Sequence, residues 1–257
     1  MGLSAAAVKL YLELWQRRLL GNVVSVIDMG SQELHLQKAE FEGLVEAAGI
    51  PGYDEKDFPN LVYFPGHPRC SARPFYELLG AQEYQCIDLG QQHGAIPLDL
   101  NQPLTDESLF GQFDLVTDHG TNEHVFNIAE TYRTMHRLCK PGGIIVINQA
   151  VYGGNGYYNF DLSFFEGMAA ANNYCILFCS YIVTTNPNGH SNVVEQHHIP
   201  ISRDLLNVVD WSKVRNVEIN YVFQKSSDAD FQYAYQDTCL AKAQGNDGYR
   251  LLFLPDP

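Results

Sequence analysis

Between Leu3 and Leu20 the apolar positions Val8, Leu10, Tyr11, Leu14, Trp15 and Leu19 recur at helical intervals, which predicts an amphipathic leading helix. Gly21 stops it. Val23-Val24-Ser25-Val26-Ile27 is then a β-branched run without a polar face, the pattern of a strand buried on both sides. After Asp28-Met29-Gly30-Ser31-Gln32-Glu33, the residues Leu34, Phe41, Leu44, Val45 and Ala48 fall on one helical stripe. Strand, tight turn and helix in this order open a doubly wound α/β fold.

Gly49 to His67 is rich in Pro, Gly and Asp and reads as an irregular insertion, extending to about residue 80, with Pro74 to Leu79 resuming a short helix. Further strands are expected at Tyr84–Asp88, at Ile96–Leu100, where Pro97 suits an edge position, and at Phe113–Thr117. Thr121 can cap a helix that buries Val125, Ile128, Tyr132, Met135 and Cys139, and Lys140-Pro141-Gly142-Gly143 turns it into a strand at Ile144–Ile147. Ser163 and Glu166 have the spacing of a capping box for the next helix. Strands at Tyr174–Val183 and Val217–Phe223 complete a seven-stranded, mostly parallel sheet in a single α/β domain spanning the chain.

Composition narrows the partners. With 16 Lys+Arg against 30 Asp+Glu, a formal net charge of −14 repels phosphate backbones and anionic lipid surfaces, so neither nucleic acid nor membrane is expected. The six cysteines lack the two-residue spacing of zinc or redox motifs, and no signal-peptide pattern or long apolar span occurs. A reducing, cytoplasmic setting follows, with buried thiols and no metal. His197-His198 does not change this, because adjacent side chains on an extended segment point to opposite faces.

The turn after the first strand lies where open α/β sheets bind ligands. A dinucleotide pyrophosphate needs several glycines for close backbone approach, whereas here Gly30 stands alone between Asp28 and Glu33. Two carboxylates beside one glycine suit a ligand with an ammonium group and a sulfonium. An equally open reading is that both acids only favour the positive end of the following helix.

Acid-x-Gly after the first strand, Asp88 ending the second, Leu98-Asp99-Leu100-Asn101, Phe113-Asp114-Leu115-Val116 and the helix ending in Lys140-Pro141-Gly142-Gly143 together resemble the class I S-adenosylmethionine-dependent methyltransferase superfamily. The likeness runs from about Asn22 to Ile147, and the Lys-Pro-Gly-Gly element is its most specific piece. It implies a three-layer, Rossmann-like sandwich and S-adenosylmethionine as cofactor. It also implies that Asp28, Gly30, Ser31 and Gln32 line the methionine part, that Asp88 with Leu89 takes the ribose, and that Asp99, Leu100 and Asn101 lie near the adenine. Ser31-Gln32-Glu33 depart from the family by standing where further glycines are common.

Asp118-His119-Gly120-Thr121-Asn122-Glu123-His124 packs two imidazoles and three carboxylate or amide neighbours after a strand, again at the sheet's functional edge. By the resemblance Asp118, His119 and Gly120 form a cofactor wall; His119 and His124 are the candidate catalytic residues, His124 as a general base titrating near neutrality. The bland alternative is that both histidines satisfy loop and helix-end hydrogen bonds. Gly153-Gly154-Asn155-Gly156-Tyr157-Tyr158-Asn159-Phe160 combines glycines with aromatics, as expected of a mobile acceptor loop, with Tyr157, Tyr158 and Asn159 as substrate-binding candidates, or of a surface loop pinned by tyrosines. The expected activity is methyl transfer to oxygen or nitrogen of a small molecule. The rivals are an NAD(P)-dependent oxidoreductase, since Asp88 could hold an adenosine ribose, and a degenerate methyltransferase fold that serves as a binding module.

Overall fold

In a computed structural model of the chain, residues 2–21, 23–61, 69–186, 195–201 and 209–235 are described. They fall into two compact units, the first comprising residues 1–99 and 113–119 and the second residues 100–112 and 120–257.

The first unit opens with strand β1 (Gly2–Leu3) and helix α1 (Ala5–Gln16), whose N-cap Ser4 accepts from the Ala7 amide. Strand β2 (Ser25–Met29) is buried at every position, as a β-branched run without a polar face predicts. The following residues do not enter a helix at once. Glu33–Leu34 form strand β3, parallel to β1, and the His35 amide donates to Leu3 O, so helix α2 is delayed to Lys38–Ala48 and ends on Gly49 in the left-handed region. Among its described residues the insertion holds a 3-10 turn at Glu55–Asp57 and helix α3 (Arg73–Leu78). Strands β4 (Glu83–Ile87) and β5 (Phe113–His119) flank β2 on either side, both parallel to it. The strand expected at Ile96–Leu100 does not form: Ile96 makes one bridge to Ile87, and Pro97 has no amide with which to extend it.

In the second unit helix α4 (Ile128–Leu138) starts later than expected, because Thr121 leads into a 3-10 turn at Asn122–His124 and Asn127 takes the N-cap position. Strand β6 (Cys139–Tyr152) follows directly, then helix α5 (Leu162–Asn172) and strands β7 (Cys175–Thr185), β8 (Glu195–Pro200) and β9 (Val214–Gln224). The cap of α5 is not Ser163: the carboxylate of Asp161 accepts from the Ser163 amide at 2.9 Å. The order here is β6-β9-β7-β8, with all three pairings antiparallel. The expected parallel α/β pattern therefore holds for β4-β2-β5, while the pairings of the second unit are antiparallel.

Aromatic packing closes the second core. Tyr221 stacks on Phe165 at 5.2 Å, and Phe160, Phe164 and Tyr132 extend the cluster. Lys225 is buried with its ammonium on His136 O and Cys139 O, both at 2.9 Å, which places a cation on the last carbonyls of α4. Among the described residues no helix is long and apolar enough to cross a membrane, and no group of three metal-ligating side chains occurs. The described cysteines are free, Cys175 exposed and the other four buried. Cys239 lies outside the described residues.

Candidate functional site

The turn from β2 into β3 supplies the close backbone approach that a ligand at the strand ends needs. Gly30 sits at φ +83°, a conformation open to glycine at little cost, and its amide donates to Ile87 O at 2.7 Å. The next amide, Ser31 N, donates to Asp88 Oδ2 at 3.0 Å, while the Ser31 hydroxyl donates to Gln92 O at 2.9 Å. Gln32 is buried and donates from Nε2 to Met29 O at 2.6 Å. One carboxylate thus ties the β2 turn to the β4 turn: Asp88 Oδ1 also accepts from the Gly90 amide at 2.7 Å. Each oxygen of Asp88 has accepted one bond and retains a second lone pair, which is what recognition of a vicinal diol requires. Beside it Leu89 is exposed, and Gln91 and His93 both hold φ near +54°, strained for residues with a Cβ.

Asp28 is placed differently from the expectation that it would line the ligand. It is wholly buried, and its oxygens accept from Tyr84 Oη at 2.7 Å and from the Thr117 hydroxyl. Burial pushes its carboxyl from 3.8 up to about 7, with the hydroxyl bonds from Thr117, Tyr84 and Tyr76 opposing the rise. Direct contact with a ligand would require those hydroxyls to move; its field does not.

His119 is also buried, its Nε2 2.9 Å from Tyr11 Oη, and desolvation pulls its pKa down from 6.5 to about 3. An imidazole held neutral in this way does not suit proton transfer, which counts against the catalytic role expected of His119. Asp118 beside it is fully buried. Sequence reading missed the ion cluster around Glu33. The buried Arg69 guanidinium lies 3.3 Å from Glu33 Oε2, and His93 Nε2 lies 3.3 Å from Oε1. These partners come from distant segments, and only the acid beside Gly30 hinted that a counter-charge was needed.

In the second unit Gly120 takes φ +73° and donates to Asn148 O at 2.9 Å. Glu123, absent from the sequence-based candidates, organises its surroundings. Its Oε2 accepts from the Ala150 amide at 2.8 Å, its own amide donates to Gln149 Oε1 at 3.2 Å, and its carbonyl accepts from Tyr157 N at 2.7 Å. His124 Nε2 stands 3.6 Å from Glu123 Oε1 and is partly exposed. Burial, and secondly the charge of Glu123, push the Glu218 carboxyl above its usual range.

The loop 153–160 is packed, contrary to the expectation of hinge glycines. A Cβ on Gly156 would lie 2.6 Å from Glu123 O, one on Gly154 2.4 Å from Ala150 Cβ, and one on Gly153 2.7 Å from Arg215 O. These glycines permit close approach. Tyr158 Oη donates to Phe126 O at 2.7 Å, and the ring of Tyr157, 71% exposed, meets Phe126, 74% exposed, edge to face at 6.0 Å. One ring on the pinned loop and one on the segment before α4 thus stand exposed against each other. Asn159 is exposed beside them. Asn101 has a structural duty, its Oδ1 accepting from the Asn127 amide and its carbonyl from Asn127 Nδ2, both at 3.0 Å, while Leu100 is buried and Asp99 half-buried. On β8, His198 Nδ1 is 2.9 Å from Ser180 Oγ and His197 is 3.4 Å from Glu195, so the adjacent histidines engage different partners.

Residues 88–147 match the family model described as a methyltransferase domain. No curated protein matches. Among solved structures, this chain is similar to the 1,6-didemethyltoxoflavin-N1-methyltransferase of Burkholderia thailandensis, solved with 1,6-didemethyltoxoflavin and S-adenosylhomocysteine bound. Identity is 12% over 86% of this chain and 79% of that one, with a TM-score of 0.41. It is similar also to a SAM-dependent methyltransferase of Archaeoglobus fulgidus, at 10% identity over 84% of this chain and 94% of that one, with a TM-score of 0.43. A third is the O-MT segment of StiE, at 10% identity over 89% and 78%, with a TM-score of 0.39.

Proposed function

We propose that this chain, whose residues 88–147 match the model of a methyltransferase domain, is a class I S-adenosylmethionine-dependent enzyme that binds S-adenosylmethionine at the carboxyl ends of β2, β4 and β5 and transfers its methyl group to a small molecule. The observation that carries the reading is the Asp88 carboxylate, fixed by the Ser31 and Gly90 amides beside the Gly30 turn with lone pairs still available for the two ribose hydroxyls.

The donor set fits the cofactor. Gly30 admits close backbone approach, Asp88 suits a diol, and the buried Asp28 lies close enough to this turn for a positive charge there to favour its ionised form. When bound, the cofactor supplies an electrophilic methyl on a sulfonium. The chain's own share is to orient the acceptor's oxygen or nitrogen in line with that methyl and to exclude water, worth up to roughly 7–11 kcal/mol for such positioning. Tyr157, Tyr158 and Asn159 are the acceptor-binding candidates, supported by the exposed Tyr157–Phe126 pair. His124, accessible and beside Glu123, is the proton-accepting candidate. The same reading takes the fold as the three-layer sandwich of the superfamily and the setting as the cytoplasm, with no role for nucleic acid or membrane.

A thermal-shift comparison tests it. Saturating S-adenosylhomocysteine is expected to raise the midpoint of unfolding and NAD to leave it unchanged. Stabilisation by NAD alone favours the oxidoreductase reading, and stabilisation by neither the binding-module reading.

A further inference from the structure

Asp28, Thr117 and His119 lie on one face of the parallel strands, since Asp28 and Thr117 are register partners and Thr117 and His119 are two residues apart on β5. Helix α3 brings Tyr76 and helix α1 brings Tyr11 to this face, and the five groups form a buried chain. Thr117 and Tyr84 donate to Asp28. The single hydroxyl proton of Tyr76 has two acceptors at 3.4 Å, Thr117 Oγ1 and Tyr11 Oη, and Tyr11 Oη meets His119 Nε2 at 2.9 Å.

Given to Tyr11, the Tyr76 proton leaves the Tyr11 proton for His119 Nε2. A neutral imidazole that accepts at Nε2 must carry its hydrogen on Nδ1. Nδ1 is buried and has no hydrogen-bond partner in the protein. Buried donors are rarely left so, and one at the carboxyl end of a parallel strand lies where open α/β sheets take their ligands.

We propose that Tyr11 of the N-terminal helix is a positioning residue that locks His119 in the Nδ1–H tautomer, so that His119 offers a hydrogen-bond donor to an acceptor atom of the ligand held at the ends of β2, β4 and β5. This rests on the preceding reading only for the ligand, an adenosyl amino acid; the tautomer is a property of the protein alone. It gives α1 a part in the site that no motif of the chain marks. It also gives the buried imidazole a task compatible with permanent neutrality.

Magnetic resonance of isotope-labelled histidine nitrogens in the ligand-free protein reads the tautomer. The parent is expected to show His119 protonated at Nδ1 and bare at Nε2, and Tyr11→Phe to lose that preference. Titration with S-adenosylhomocysteine is expected to weaken about tenfold in Tyr11→Phe. His119→Gln, whose amide cannot place a donor where Nδ1 stood, should weaken it to the same extent. His119→Asn, which can, should retain affinity even when combined with Tyr11→Phe, an outcome that a purely structural role for Tyr11 would not produce. A bare Nδ1 in the parent, or a Tyr11→Phe variant with unchanged tautomer and affinity, overturns the inference. If the parent does not bind S-adenosylhomocysteine, the cofactor reading fails, and the tautomer alone decides the role of Tyr11.

Discussion

Asp28→Asn should change how stability depends on pH, and the structure sets both sign and size. The carboxyl is fully enclosed and its pKa rises from 3.8 to about 7 on folding, chiefly through burial. A folded-state value above the unfolded one means that the folded protein holds a proton which the unfolded chain has already released. Stability from this group is therefore complete below about pH 4 and falls as pH rises to 7. At about 1.4 kcal/mol per pH unit the whole fall is about 4 kcal/mol, and about 3 kcal/mol of it lies between pH 5 and pH 8. His119 works in the opposite direction: its value drops from 6.5 to about 3, so it withdraws stability as pH falls below 6.5. The parent's own profile mixes the two, and the difference between parent and variant isolates Asp28. Asparagine keeps the shape and cannot ionise. Urea unfolding of both proteins at pH 5 and pH 8 should show the variant gaining about 3 kcal/mol on the parent over that interval. Parallel profiles would refute the placement of an ionisable Asp28 in a dry core.

Three further outcomes follow from particular contacts. Gly156→Ala sets a Cβ 2.6 Å from Glu123 O and should cost ~1–3 kcal/mol by overpacking, read as a lower unfolding midpoint; an unchanged midpoint would mean the loop has room. Lys225→Met removes the cation from the carbonyls of His136 and Cys139 and should cost about 2–4 kcal/mol in chemical denaturation, whereas Asp228→Asn, at the exposed partner, should cost less than about 0.5 kcal/mol; equal losses would show that the ion pair and not the helix end matters. Phe126→Ala combined with Tyr157→Ala should leave stability within about 0.5 kcal/mol of the parent, because both rings are largely exposed, while raising KM for any methyl acceptor that is found; a large loss of stability would assign the pair to packing instead.

The sequence displays β2, β4, β5 and β6 because their residues carry local signals: short runs rich in β-branched and aromatic residues, bounded by glycine or an acid at the strand end. The same is true of Gly30 and Asp88, whose roles depend on backbone conformation and position at a strand terminus. What it hides depends on distant partners. Leu34 reads as helix, yet β1 draws Glu33–Leu34 into a strand. Ser163 reads as a cap, yet Asp161 lies one step nearer and accepts from it. Asp28 reads as ligand-facing because spacing cannot tell which face of a fully buried strand is wet; Tyr84 and Thr117 decide that, from elsewhere in the chain. Glu123 escaped notice for a related reason, since its value lies in bonds to Ala150, Gln149 and Tyr157 that only folding brings within reach.

Calorimetric titration of the parent and of Asp88→Ala with S-adenosylhomocysteine addresses the central claim most directly. The account predicts saturable one-to-one binding to the parent and at least about tenfold weaker binding to the variant, the size expected when a diol loses its carboxylate partner. Equal affinity in the two proteins, or no heat of binding in the parent, would contradict it.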